Sequence, residues 1–291
     1  MNSINSKIVV ISLLLGLLTA CGMTVQGIDV GRVIGAGSKA MDVGEKTQEE
    51  EIAMGQETAE VLMAKVSIAQ DDQLQAYVNR VGYWLVQHSS RKSLPWHFVV
   101  LNNPAANAFA APGGYVFITT GMMDNIHNEA ELAGVLAHEI AHVSDKHYLH
   151  ALESNSRSGL VTDLLVLAQQ SSKDKEERSS ESTRITGQYD KVVADVYNRG
   201  LDRDDEYRAD KLGAIIAARA GYDHYGFASV LQNVEGGMVK GNSFLGFLKR
   251  HPDTSKRLTA LEDTLLYLDL NSDSYRVLAS RYAVNSRVTP Y

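Results

Sequence analysis

The chain of 291 residues has a single cysteine, Cys21, and so has no second thiol for a disulfide within the chain. An oxidising compartment would add nothing to its stability by that route. Long apolar runs are also missing. The longest candidate, residues 8–18, stops at 11 residues, about half of the ~20 that a membrane-spanning helix needs. Positive charge is in deficit: 28 Lys and Arg against 35 Asp and Glu leave a net charge of -7. That balance argues against a nucleic-acid ligand and against broad electrostatic adhesion to an anionic membrane. Residues 31–37, GRVIGAG, lack the lysine-serine of a phosphate loop and the spacing of a dinucleotide fingerprint, and read as linker. What remains is 44% hydrophobic and 22% charged, which is ordinary globular usage over enough chain to bury a sizeable core.

The amino-terminal segment reads as an address. Lys7 precedes the apolar run, and Leu18-Thr19-Ala20-Cys21-Gly22 places small residues before the cysteine. A charged start, a short apolar core and small residues form a secretory signal. The last four residues before Gly22 resemble a bacterial lipobox, which implies cleavage before Cys21 and lipidation there. Gly22 resembles the class sorted to the outer membrane. The expected organisation is a lipoprotein signal peptide over residues 1–20, a lipid-anchored spacer over 21–46 and a catalytic domain over 47–291. Any membrane contact should run through the lipid at Cys21.

The chemistry begins at Ala137-His138-Glu139-Ile140-Ala141-His142-Val143, where three titratable side chains sit in an aliphatic run. Burying one polar group without a partner costs about 1–3 kcal/mol, so something must compensate for all three. Asn128 followed by Glu131 is a plausible N-cap pair, and no proline interrupts the run to about Lys146, so it reads as a helix. On a helix His138 and His142 share one face and can reach one ion. Glu139 is turned about 100° away and can address a water on that ion. This is the H-E-x-x-H zinc pattern. Catalytic zinc usually takes three protein ligands, so a third is expected. Downstream, residues 204–210, DDEYRAD, open a second helix that is acidic at its start and stopped at Gly221. An acidic first turn explains Asp202, Asp204 and Asp205 but not Asp210 among alanines. Glu206 and Asp210 share a face: one carboxylate for the metal, and one to accept the other ring N–H of a ligand histidine.

Around this pair, residues 47–66 and a stretch capped by Asp71 or Asp72 read as scaffold helices. Residues 96–101 and 115–119 read as strands of a small sheet ahead of the zinc helix. Between the strands, Asn107, Ala108, Phe109 and Ala110 read as a plain edge strand or as a site where an extended peptide adds as a further strand. Residues 171–186, serine-rich and charged, read as a surface segment. His147 and His150 are expected to face solvent. Pro252 places His251 on a loop before a helix starting near Ser255. There it would be a capping residue, an oxyanion stabiliser, or a plug on the metal.

Taken in order, HEIAHV and DEYRAD resemble the gluzincin metallopeptidases of the HtpX and prenyl-protein endopeptidase type, metallopeptidase family 48, and within them the soluble periplasmic lipoproteins of the LoiP and BepA kind. The likeness extends to residues 107–110 and 112–114, to Gly121, to residues 220–223, and to His251-Pro252 with Arg257, so it covers about residues 45–270. It does not extend to residues 151–195, where a lid is conjectural. The resemblance implies a mainly helical α+β, zincin-type domain with a small sheet beside the zinc helix. It implies one Zn2+ per chain on His138, His142 and Glu206, Glu139 as general base, Asp210 orienting a ligand histidine, and substrate binding along residues 107–110. His251, Arg257, His224 and the tyrosines near Glu206 are candidates for steadying the oxyanion. The expected role is an endopeptidase of the bacterial periplasm, acting on unfolded or misassembled chains alongside outer-membrane assembly machinery. A holdase that rarely cuts and a zinc amidase of the cell wall are the competing readings.

Overall fold

A computed structural model describes residues 24–25, 28–29, 46–64, 66–155, 180–235, 247, 250–251, 253–270 and 278–286. The signal peptide, Cys21 and Pro252 lie outside the described residues, as do residues 156–179 of the stretch where a lid was conjectural. Contacts divide the chain into two units, Met1–Lys46 and Thr47–Tyr291. In the first, β1 (Thr24–Val25) pairs antiparallel with β2 (Ile28–Asp29). Among the described residues no helix is long and apolar enough to cross a membrane.

The larger unit is mainly helical, with one small sheet, the class its sequence implies. Helix α1 (Gln48–Met63) starts in a full capping box: Thr47 Oγ1 accepts from Glu50 N at 3.2 Å, and Glu50 accepts from Thr47 N at 2.9 Å. Helix α2 (Asp72–Val86) is capped by Asp71, whose carboxylate accepts from Leu74 N at 3.0 Å. Its apolar face, with Tyr77, Val78, Val81 and Leu85, is buried in the core. The sheet has the order β3 (His97–Leu101), β5 (Tyr115–Thr119), β4 (Ala108–Ala111); β3 runs parallel to β5 and β4 antiparallel to it. Two of these strands match their expected spans to within a residue. The edge reading of residues 107–110 holds as well, with β4 the outer strand.

The turn from β4 to β5 is fastened from beneath. Glu51 of α1, 1% exposed, receives both Nη atoms of Arg91 at 2.7 and 2.8 Å and the backbone N–H of Gly113 at 3.1 Å. A carboxylate buried to that degree is tolerable because its oxygens are matched by a guanidinium fork and an amide. Gly113 has φ 74°, which a side chain would resist.

After the short α3 (Thr120–Met123) comes the central helix α4 (Glu129–Ser144), whose residues 129–143 are all buried. Asn128 caps it as expected, accepting from Glu131 N at 2.9 Å, while Glu131 reaches back to His127 N at 2.7 Å. It ends two residues short of the expected Lys146, where the backbone turns through φ 58°. Helices α5 (His147–Asn155), α6 (Ser180–Arg199), α7 (Arg203–Arg219), α8 (Gly226–Glu235), α9 (Thr254–Leu270) and α10 (Ala279–Ser286) follow among the described residues.

Two glycines set how closely neighbours approach α4. A Cβ on Gly213 of α7 would lie 3.0 Å from the Cα of His138, and one on Gly134 would lie 2.5 Å from the backbone nitrogen of Phe227 on α8. The second contact is backbone against Cβ, so no side chain can swing aside. Gly134→Ala is therefore expected to lower unfolding free energy by about 1–3 kcal/mol despite its better helix propensity. Denaturant titration at constant m-value checks this, and an unchanged midpoint would show that α8 yields freely. The first residue of α4, Glu129, is fully buried and accepts from Tyr77 at 2.9 Å, from Tyr222 at 2.7 Å and from Arg281 of α10.

Candidate active site

One turn of α4 presents His138 and His142 to the same point, with their Nε2 atoms 3.0 Å apart. From α7, Glu206 brings Oε2 to 3.6 Å from His138 Nε2 and Oε1 to 3.6 Å from His142 Nε2. From the turn before α9, His251 Nδ1 lies 3.0 Å from Glu206 Oε2 and 3.3 Å from His138 Nε2. All four side chains are buried, and their ligand atoms fall within 4.8 Å of one another.

The chemistry of this set fits a metal cation. His138 Nδ1 lies 3.0 Å from Asp210 Oδ1, close but outside hydrogen-bond geometry; a ring proton on Nδ1, where the carboxylate favours it, leaves a lone pair on Nε2. That lone pair points at the Nε2 of His142 and at a carboxylate. Acceptors brought so close repel unless a cation sits among them. Burial, with Arg257 next in effect, pushes His138 well below its ordinary value, and burial does the same to His142. Both imidazoles are thereby held neutral, the form that binds metal. For Glu206, burial alone would raise the carboxyl, but His251 and Arg257 outweigh it and hold the group well below the usual carboxylate range. His251 is opposite in sense: burial would lower it, yet Glu206 raises it.

Asp210 is itself clamped. Arg257 of α9, fully buried, donates through Nε to Oδ2 at 2.8 Å and through Nη2 to Oδ1 at 2.6 Å, while its Nη1 lies 3.2 Å from Glu206 Oε2. One guanidinium thus fixes the carboxylate behind His138 and the one in the ligand cluster. The sequence reading offered Arg257 for the oxyanion; the structure instead spends its fork on these two acids. His224, another candidate for that role, lies 3.1 Å from Asp269 of α9.

Glu139 stands on the adjoining face of α4, fully buried, and neither carboxylate oxygen has a hydrogen-bond partner among the described residues. The His251 imidazole approaches it, with Nε2 3.5 Å from Oε1. Burial pushes this carboxyl up to about 7, against the opposing pull of His251. A carboxyl in that range can both take and return a proton near neutrality.

The edge strand lies against this cluster. Thr119 N donates to Asn107 O at 3.0 Å, so residues 107, 109 and 111 face β5 and the backbone groups of Ala108 and Ala110 face outward. Both outward carbonyls are occupied. Ala108 O is 3.4 Å from His251 Nε2, and Ala110 O accepts from the Tyr197 hydroxyl of α6 at 2.6 Å. Arg250 lies over the ring of Phe109 at 4.6 Å and donates to Tyr197 O at 2.9 Å.

One expectation is overturned. His147, expected in solvent, is 4% exposed, and its Nδ1 lies 2.9 Å from the Nδ1 of His142. The left-handed turn at Lys146 breaks the helical count and folds α5 back toward the site. A lysine gives no signal for such a turn, so the sequence could not show this contact. His150 is exposed, as expected.

Residues 72–265 match Peptidase family M48. The chain is 30% identical over 189 residues to the beta-barrel assembly-enhancing protease of Yersinia pestis, covering 64% of this chain and 38% of that protein. It is 28% identical over 190 residues to the protein of the same name in Escherichia coli, covering 64% and 37%. It is also 28% identical over 193 residues to the mitochondrial metalloendopeptidase OMA1 of Schizosaccharomyces pombe, covering 65% and 52%. The chain therefore spans about two fifths to one half of the length of these relatives. The buried cluster of His138, His142, Glu206 and His251 lies within the matched residues 72–265, and that match places the chain in peptidase family M48, the zinc-dependent metallopeptidases.

Proposed function

We propose that this chain is a periplasmic endopeptidase that cuts extended segments of unfolded or misassembled outer-membrane proteins. Under this reading residues 1–20 are removed as a signal peptide, Cys21 is lipidated and holds the enzyme at the outer membrane, and residues 21–46 tether the catalytic domain 47–291. The observation that carries the reading is the contact between the ligand cluster and the sheet edge: His251 touches Glu206 at 3.0 Å and the outward carbonyl of Ala108 at 3.4 Å. A strand docked on β4 would thus run directly past the reacting groups. The relatives named for beta-barrel assembly support the class of substrate.

His138, His142 and Glu206 would hold the zinc, which supplies a polarised water and polarises the peptide carbonyl. Glu139 would take up the proton of the attacking water at its carboxylate and pass it to the departing amine. Its position at the metal-facing helix and its raised affinity for protons suit both steps. Asp210, held by Arg257, keeps His138 in one tautomer and orientation. Residues 107–110 bind the chain to be cut through the backbone of Ala108 and Ala110, and Phe109 pairs inward with Phe117.

His251 acts as a latch in this reading, since it occupies both the ligand cluster and the carbonyl a substrate must use. His251→Ala is expected to raise cleavage of unfolded outer-membrane barrel protein on the order of tenfold while zinc stays at one per chain, as for a resting state favoured by ~1.4 kcal/mol. A loss of about 100-fold would assign His251 to the oxyanion instead. An unchanged rate would remove it from the site.

The location has its own test. Cys21→Ser should abolish labelling by a fatty-acid probe and release the protein from membranes into the soluble envelope fraction. Continued pelleting with the outer membrane would mean a different anchor.

A further inference from the structure

The residue after His147 is buried and has a polar group with nothing to bond. Tyr148 is 2% exposed, and its hydroxyl has no hydrogen-bond partner among the described residues. The neighbouring tyrosine shows that this is not the rule here. Tyr197, on which Tyr148 stacks at 4.7 Å and 5°, spends its hydroxyl on Ala110 O at 2.6 Å. A buried hydroxyl left unbonded is destabilising, and phenylalanine would fill the same volume without that cost.

Three contacts locate Tyr148 between the ligand cluster and the substrate edge. Its ring centroid lies 5.6 Å from that of His142. Its stacking partner Tyr197 is hydrogen-bonded to the outward carbonyl of Ala110. Helix α5, which carries it, packs on β4. Glu139 of α4 also has carboxylate oxygens with no hydrogen-bond partner among the described residues, and a phenol holds its proton at neutral pH and so remains a donor. Among the described residues the interior therefore holds a donor without an acceptor on α5 and a carboxylate without a donor on α4, with an edge strand packed on α5 that would present a peptide.

We propose that Tyr148 is a further catalytic residue, whose hydroxyl donates a hydrogen bond to the carbonyl oxygen of the peptide bond under attack as negative charge develops on it. No covalent step is involved: the phenol keeps its proton, and Glu139 carries the one that moves. Preformed donors aimed at developing charge in a dry site act mainly on the transition state. The bond is made neither in the resting protein nor fully to the ground-state carbonyl, which explains why the hydroxyl stands unpaired here.

The proposal rests on the peptidase reading above, and the test separates the two. Zinc-loaded wild type and Tyr148→Phe are compared on β-casein as an unfolded chain, by calorimetric affinity for a phosphinic peptide with a tetrahedral anionic centre, by zinc content and by melting temperature. Glu139→Gln serves as the inactive control. The expected result for Tyr148→Phe is a fall in kcat of about 100-fold at unchanged KM. Phosphinic-peptide affinity should weaken by a similar factor, with zinc at one per chain and a melting temperature equal to or above wild type. Phosphinic-peptide affinity within twofold of wild type would overturn the proposal whether or not casein is cut. A lowered melting temperature or lost zinc would overturn it as well, because the residue would then be structural. Failure of the wild type to cut casein faster than Glu139→Gln would count against the peptidase reading, while the phosphinic-peptide comparison still decides the role of Tyr148.

Discussion

Replacing Glu206 with glutamine is expected to strip the protein of zinc at concentrations where the wild type is fully loaded. The neutral amide is a weaker ligand than the carboxylate it replaces, and affinity should fall by more than the 10- to 100-fold typical of residues behind a ligand. The effect should be large because Glu206 has other work. Its charge balances Arg257 at 3.2 Å and His251 at 3.0 Å, both buried. With glutamine there, Arg257 would keep Asp210 as a carboxylate partner but lose Glu206, and its less compensated charge in a low-dielectric pocket would repel the incoming ion. Metal content after dialysis against a graded chelator measures this. Full retention of zinc by Glu206→Gln would move the third ligand elsewhere, and His251 would be the only other ligand-type side chain of the cluster available to replace it.

Glu139→Gln should have the second large effect, and of a different kind. Cleavage is expected to fall by at least about 10³-fold while one zinc per chain remains and the fold is intact. The side chain is buried, and its carboxylate oxygens make no hydrogen bond within the described protein. An amide of the same shape removes a costly buried acid without breaking a hydrogen bond, at the cost only of the 3.5 Å approach to His251, so the melting temperature should hold or rise. Loss of activity with gain of stability is the mark of a group kept for chemistry. The variant should still bind unfolded chains on β4. If it retained full effect on outer-membrane protein assembly in cells, holding rather than cutting would be the physiological activity.

Much of this site was readable from local rules. Helical spacing alone put His138, His142 and Glu139 on two adjacent faces, and an aspartate among alanines marked Asp210. Their structural counterparts are the 3.0 Å approach of the two Nε2 atoms and the 3.0 Å contact from Asp210 to His138. Glu206 could be singled out because metal chemistry demands a third ligand and the acidic turn offered a carboxylate, and the structure brings it to 3.6 Å from both histidines. What was not legible depends on long separations in the chain or on backbone conformation. Arg257 meets Asp210 across 47 residues and Tyr197 meets Ala110 across 87, and neither pairing leaves a periodic trace. His147 and Tyr148 turn inward only because Lys146 adopts φ 58°. Helix α10 closes over Glu129 through Arg281, 152 positions away, and nothing in either segment announces the other.

The two caps on the outward face of β4 have a consequence beyond catalysis. A sheet edge with free carbonyls and amides is a template for any extended chain, including another copy of the same protein, and leads to stacking and aggregation. With Ala108 O against His251 and Ala110 O bound to Tyr197, half of that template is masked in the resting molecule. Under the proposed function, an enzyme that meets unfolded chains would benefit from keeping this adhesive edge covered by side chains until substrate displaces them. If substrate does dock on β4 as proposed, solubility and substrate access would be governed by the same two contacts, and weakening either to gain speed would leave the protein prone to associate with itself.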